Sequence, residues 1–443
     1  MKLVPRLAAG LLLAGLCNLA IVAPGLAAPS EDFVTVKDTH FKRNGKLYYI
    51  TGTNMWYAGY LGAASGVGDR ARLVKELDNL KAIGVNNIRL LAVSEATKMR
   101  SGVKPVTTTA PGQYDENLLA GMDFLLSEMA KRDMTAVIYL NNFWQWSGGM
   151  TQYVNWFTGA PAIDPNDSKD YESFIANSAK FYQIDKAQAE YRSVIRKVVE
   201  RVNTITGKPY RDDPTIMSWQ LANEPRPGNT KTTEAEKEIY VRWIDDTARF
   251  IRSMDKNHLV STGSEGLAGS VQDSKLFIKA HQTKNIDYLT YHMWPKNWFW
   301  FDSTRPAETW AGMMEKSDRY LNVHIDLAKQ LKKPIVLEEF GLDRDGPSFA
   351  RTATTKVRDR FYGVVFDVVY RRAAKGDPIA GWNFWAWGGM GRAANPNYWW
   401  KEGNDFMGDP PQEEQGLYSV FDSDVSSLML IKQHADKLKT LQK

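Results

Sequence analysis

The chain is predicted to fold as a (β/α)8 barrel, a single α/β domain with elaborated loops on its C-terminal face. Three observations predict it. Eight short apolar runs recur along 443 residues, longer amphipathic stretches alternate with them, and no linker rich in Pro, Gly or Ser divides the chain. Two doubly wound domains would share the alternation but would need such a boundary.

In chain order, a hairpin is predicted first: Phe33–Lys37, then Phe41–Arg43 and Leu47–Ile50 about an Asn44-Gly45 turn. The apolar runs are Tyr48–Asn54, Val85–Leu91, Met134–Leu140, Ile216–Ala222, His258–Thr262, Ile286–His292, Pro334–Phe340 and Ile379–Ala386. Apolar residues at three- and four-residue spacing predict helices such as Ala71–Ile83, Glu116–Arg132, Glu190–Val202, Thr233–Met254, Glu308–Leu331 and Thr355–Arg372. Four segments remain as loops: Ser101–Gln113, Asn142–Lys169, Pro295–Pro306 and Gly388–Gly416. Loops after strand ends hold much of the aromatic content: Trp56 and Tyr57 after the first run; Trp144, Trp146, Tyr153 and Trp156 after the third. Trp294, Trp298 and Trp300 follow the sixth, and Trp385, Trp387, Tyr398, Trp399 and Trp400 the eighth. Rings gathered at one face of a barrel suit stacking on pyranose rings, with indole N–H groups left for hydroxyls.

Lys2 and Arg6 precede a nearly unbroken apolar stretch, Leu7–Ala23, and Pro24-Gly25-Leu26-Ala27 supplies small residues at a cleavage position. Residues 1–27 are therefore expected to be a signal peptide and 28–443 the catalytic domain, secreted or periplasmic and not membrane-bound once cleaved. The run is short for a retained anchor. The one cysteine, Cys17, lies inside the leader; its lipidation is a weaker alternative, because Leu16 just before it is bulky where a lipoprotein signal has a small residue. Disulfides and thiolate chemistry are not expected in the mature chain. Losing Lys2 and Arg6 takes 56 basic residues to 54 against 51 acidic ones, a formal +3 without basic runs, so a neutral partner is expected and no nucleic acid. The six histidines are scattered without ligand spacing, so neither metal nor cofactor is expected.

Two runs end in carboxylates: Trp219-Gln220-Leu221-Ala222-Asn223-Glu224-Pro225-Arg226 and Pro334-Ile335-Val336-Leu337-Glu338-Glu339-Phe340-Gly341. Carboxylates there are expensive unless they do chemistry, and a pair of glutamates is the equipment of glycoside hydrolysis. Alternation puts Glu338 and Glu339 on opposite faces without saying which points inward. Position favours Glu339, nearest the mouth, with Glu338 a structural carboxylate behind the strand. Pro225 is expected to hold Glu224 extended. A carboxyl separation of about 5 Å would mean retention of configuration, and one of about 7–9 Å inversion.

These segments resemble glycoside hydrolase family 5, specifically its β-mannanase branch. Asn142-Phe143-Trp144 with Gly148-Gly149, Gly263-Ser264-Glu265-Gly266 and Gln415-Gly416 with Tyr418-Ser419-Val420 are similar to further blocks of that branch. The resemblance implies Glu224 as acid/base and Glu339 as nucleophile. It implies Asn223 on the sugar's 2-hydroxyl, Arg89 holding the nucleophile ionised, His292 ordering the site, Trp385 as platform, and Arg226 and Glu265 on the leaving-group side. Asn142, Trp56, Trp144 and Trp298 are expected to complete the substrate-binding set. Trp294 stands where the family usually has tyrosine. The implied activity is a secreted, retaining endo-β-1,4-mannanase acting as a monomer on β-mannan, glucomannan or galactomannan and their oligosaccharides. Competing readings are an exo-acting β-mannosidase on the same scaffold, a cellulase or glucomannanase, and a non-catalytic sugar-binding protein, which need not keep Arg89, Asn223, Glu224 and Glu339 together.

Overall fold

The computed structural model describes Met1 and residues 32–442; the rest of the expected leader, with Cys17, lies outside the described residues. All eight apolar runs form strands: β1 (Ile50–Asn54), β2 (Asn87–Leu91), β3 (Thr135–Tyr139), β4 (Ile216–Gln220), β5 (Leu259–Ser261), β6 (Leu289–Met293), β7 (Ile335–Phe340) and β8 (Ile379–Phe384). They make one parallel sheet in the order β5-β4-β3-β2-β1-β8-β7-β6. Its two edges meet through the Asp287 N–H on the Val260 carbonyl (2.8 Å) and the His292 N–H on the Glu265 carbonyl (3.2 Å), which nearly closes the barrel. Every residue of these strands is buried, as parallel strands covered on both faces must be.

Each strand is followed by a barrel helix, with shorter helices added after β1 and β3: α1 (Arg70–Ala82), α2 (Glu116–Lys131), α3 (Asp185–Val199), α4 (Glu234–Met254), α5 (Ser274–His281), α6 (Pro306–Leu331), α7 (Lys356–Ala374) and α8 (Val425–Lys439). Their starts follow local chemistry. Thr233 and Glu236 form a capping box on α4, Asp115 caps α2, and Pro306 occupies the first turn of α6. The segment read as an Asn142–Lys169 loop is largely helical, with Gly149–Thr158 and Pro165–Ser168. Polar residues and two glycines mask its period, yet Met150, Tyr153 and Val154 are buried against the barrel's side.

The hairpin turns at Asn44 and Gly45, both at positive φ (53° and 73°), as an Asn-Gly turn requires. Its sheet (Thr35–Lys37, His40–Arg43, Lys46–Leu47) closes the bottom of the barrel. There Val34, Phe41 and Tyr48 join Val137, Met217, Tyr288, Val336 and Ala380 in a core separate from the one under the helices. The open end is the other one, at the strands' C-termini.

Candidate active site

β7 delivers Glu338 and Glu339, and not as strict alternation predicts. Leu337 pairs with Tyr291 but Glu339 with His292, so Glu338 is the extra residue of a bulge and both carboxylates turn into the barrel. Glu338 is thus not behind the strand. The Gln220 amide of β4, across the barrel, donates to both its oxygens (2.7 and 2.8 Å), and Arg89 Nε lies 3.3 Å away.

Arg89 of β2 is wholly buried and ties the centre together. Its guanidinium donates to Glu339, to Asn223 Oδ1 (2.8 Å), to Gln220 Oε1 (2.8 Å) and to Asn54 Oδ1 (3.1 Å), and its plane sits 4.6 Å from the Tyr139 ring. Asn223 in turn donates to Asn142 Oδ1 (3.1 Å), which also accepts the Trp144 N–H (3.1 Å). Asn142, Arg89 and His292 all lie behind the cleft wall. They act on the groups that face the cleft.

Glu224 departs from expectation in its backbone. Its φ is +51°, left-handed rather than extended. Surrounding contacts override the proline rule: its N–H reaches the Gly263 carbonyl (2.9 Å), His292 Nδ1 bonds Oε1 (2.6 Å), and the Trp144 indole N–H donates to Oε2. Trp144 lines the cleft and is itself packed on by its neighbours. Phe174 stacks against it (5.5 Å, 16°) and the Arg226 guanidinium lies 5.0 Å from its centroid. Arg226 also pairs with Glu265 (2.7 Å).

His292 Nδ1 lies 3.3 Å from Glu339 Oε2 as well, and one ligating atom from each of Glu224, His292 and Glu339 falls within 4.8 Å of the others. Among the described residues this trio is the one group of three with metal-ligand spacing, which linear sequence did not reveal. Its atoms already bond one another. Burial pushes the Glu224 carboxyl up, but the hydrogen bond and charge of His292, with Arg226 and Trp144, outweigh it and hold the group down at about 2. Burial pushes Glu339 up to about 7, against the charges of His292 and Arg89. Burial works against a charged His292, yet Glu339 and the Glu224 hydrogen bond raise it to about 10. Glu224 and His292 titrate as a pair across their 2.6 Å hydrogen bond.

The two glutamates open into a cleft of about 680 Å³ that Asn223, Arg226, Glu265, Trp144, Trp146, Trp294, Trp298 and Trp385 also line. Gly341 makes room for two of these: a Cβ there would meet the Trp294 ring and the Trp385 carbonyl at 3.1 Å. Trp294 sits edge-on to Trp385 (5.8 Å), whose buried Nε1 has no hydrogen-bond partner among the described residues. The expectation for Trp56 is corrected. It is 1% exposed, its N–H is committed to the Gly408 carbonyl (3.1 Å), and Trp146 and Phe406 pack on it. Tyr57, Tyr153 and Trp387 are likewise buried. The reading from sequence missed Gln220, Asn54 and Glu413. Glu413 lines the cleft with one buried, unpartnered oxygen, and burial together with Asp409 and Glu339 raises it well above the carboxylate range.

A family model described as GH family 5 beta-mannosidase-like matches residues 31–443. The glycoside hydrolase family 5 mannosidase of Rhizomucor miehei is 36% identical, with a TM-score of 0.84 over 93% of this chain and 99% of that one. A variant of it is solved with mannosyl-fructose. Mannan endo-1,4-beta-mannosidase 4 of Solanum lycopersicum is 30% identical over 84% of this chain and 87% of its own. The endo-beta-1,4-mannanase of Thermotoga petrophila, 24% identical with a TM-score of 0.65 over 90% of this chain and 78% of that one, shares the fold.

Proposed function

The chain belongs to glycoside hydrolase family 5, and from that premise we propose that it cleaves β-mannosidic bonds with retention of configuration. The observation that carries this reading is the approach of Glu224 and Glu339 oxygens to within 4.8 Å. That supports retention, since an inverting enzyme sets its carboxylates about 6.5–9.5 Å apart to seat a water between them.

In the proposed reaction Glu339, ionised and held by Arg89, attacks the anomeric carbon as the bond to the leaving oxygen breaks. Glu224 gives that oxygen a proton, drawn from the one it shares with His292 over 2.6 Å. A glycosyl-Glu339 ester results. Glu224 then takes a proton from water, whose oxygen attacks the same carbon and releases Glu339. Asn223, oriented by Arg89 and Asn142, faces the cleft beside both carboxylates, as a contact to the sugar's 2-hydroxyl requires. Proton NMR of the first product formed from a mannan oligosaccharide should show the β-anomer before mutarotation. The α-anomer appearing first would end the retaining reading.

Internal cleavage of mannan, glucomannan or galactomannan by a secreted monomer is the mode proposed, and the endo-mannosidase names of the plant relatives support it. One structural observation favours a second mode, removal of mannose from chain ends. The Asn166 amide, on the segment after β3, donates to the Gln412 carbonyl after β8 (2.7 Å), and both residues line the cleft. A wall bridged in this way would stop a chain from running through. Product sizes from linear mannan separate the two modes.

A further inference from the structure

We infer that Phe299 is a sugar platform that extends the leaving-group side of the cleft into a neighbouring groove, so that long β-mannan chains are held beyond the bond being cut. The inference rests on the proposed β-mannoside hydrolysis and deepens it. Among the described residues only two aromatic side chains are exposed, Tyr171 (50%) and Phe299 (92%), and both line the cleft. Phe299 also has a φ of +56°, a left-handed region disfavoured for any residue but glycine. The left-handed backbone is a cost that folding alone does not ask for, and it stands at a residue whose exposed ring lines the cleft.

The ring is held out rather than left loose. The Trp298 N–H bonds the Trp294 carbonyl (2.9 Å), Phe299 N–H that of Lys296 (3.1 Å), and Trp300 N–H that of Pro295 (2.8 Å). Trp298 and Trp300 pack on Tyr320 (5.1 and 5.7 Å), and Lys296 pairs with Asp343 (2.6 Å). The packing on Tyr320 links this loop to the acid/base side. Glu224 is bonded by Trp144, Trp144 is covered by Arg226, and Arg226 pairs with Glu265, whose carbonyl accepts the Tyr320 hydroxyl (2.9 Å). Phe299 thus continues the wall on the acid/base side, where the leaving group departs. It lines a second groove too, of about 460 Å³, with Lys296, Trp300, Asp302, Thr304 and Arg305. An aromatic face beside hydroxyl, carboxylate and guanidinium groups fits a polar, ring-shaped sugar rather than an apolar tail.

The test compares kcat/KM on mannohexaose and on mannotriose for the wild type, Phe299→Gly and Phe299→Trp. Glycine suits the positive φ, so Phe299→Gly should keep or raise Tm while the hexaose-to-triose ratio falls about tenfold. Phe299→Trp should restore the ratio. An unchanged ratio in the glycine variant, equal loss on both substrates, or a lowered Tm that tryptophan fails to repair would overturn the platform. Wild-type hydrolysis of mannohexaose checks the underlying activity separately: if it is absent, the proposed function fails, whatever Phe299 does.

Discussion

Glu339 and Glu338 face the same interior, and what distinguishes them is their partners. Glu339 meets Arg89 and the cleft, while Glu338 is closed in by Gln220 and Arg89. Glu339→Ala should abolish turnover with little loss of stability, because Arg89 keeps Glu338, Asn223 and Gln220. Glu338→Ala should lower Tm, since it strips the acceptor from a buried amide at a cost of about 1–3 kcal/mol. A dead Glu338→Ala beside an active Glu339→Ala would reverse the assignment. The shared proton makes a second prediction. Activity needs Glu339 ionised, so kcat/KM should rise with pH through its raised value, and it should fall as the Glu224–His292 pair loses its proton at high pH. His292→Asn removes a charge that lowers Glu339 and an imidazole that stores the proton. Its acidic limb should therefore move up and its basic limb down, giving a narrower bell. A profile shifted bodily, or unmoved, would separate His292 from the proton.

At the scale of elements, strand positions were legible because parallel strands buried on both faces leave apolar runs that turns and helices interrupt. The two glutamate positions were legible because a carboxylate ending such a run is unusual. What alternation could not show was the bulge at Glu338, set by pairing with β6, or the left-handed Glu224, set by contacts from strand β6 and from the segments after β3 and β5. The aromatic residues misled in the same way. Trp56 and Trp144 both follow strands, yet one braces loops from within and the other holds a carboxylate. Two substitutions test that division. Trp56→Ala should cost about 3–5 kcal/mol of stability as a core truncation, measured by denaturant midpoint. Trp144→Phe keeps the ring but loses the N–H to Glu224, so kcat should fall more than KM rises. If binding of mannan oligosaccharides weakened while kcat held, Trp144 would be the stacking platform after all.

Across the whole molecule, stability and chemistry are assigned to opposite ends of the barrel. The charged centre sits at the strands' C-terminal ends, where Arg89, Gln220 and two glutamates occupy space that apolar side chains would fill more cheaply. The N-terminal hairpin compensates below by packing Val34, Phe41 and Tyr48 under the strand starts, where Tyr288 meets Phe41 edge-on at 5.2 Å. Nothing in the plug shares a hydrogen bond with Glu224 or Glu339, so the two ends should behave additively. Phe41→Ala should lower stability by about 3–5 kcal/mol while kcat/KM at a temperature well below Tm stays near the wild-type value. Combining it with Glu339→Ala should give the sum of the two stability changes within about 0.5 kcal/mol. Urea unfolding of both single variants and the double, with kcat/KM for Phe41→Ala, makes the measurement. A fall in kcat/KM for Phe41→Ala in the fully folded state, or a clear departure from additivity, would mean that the plug sets the barrel's geometry at the catalytic end and does more than hold it closed.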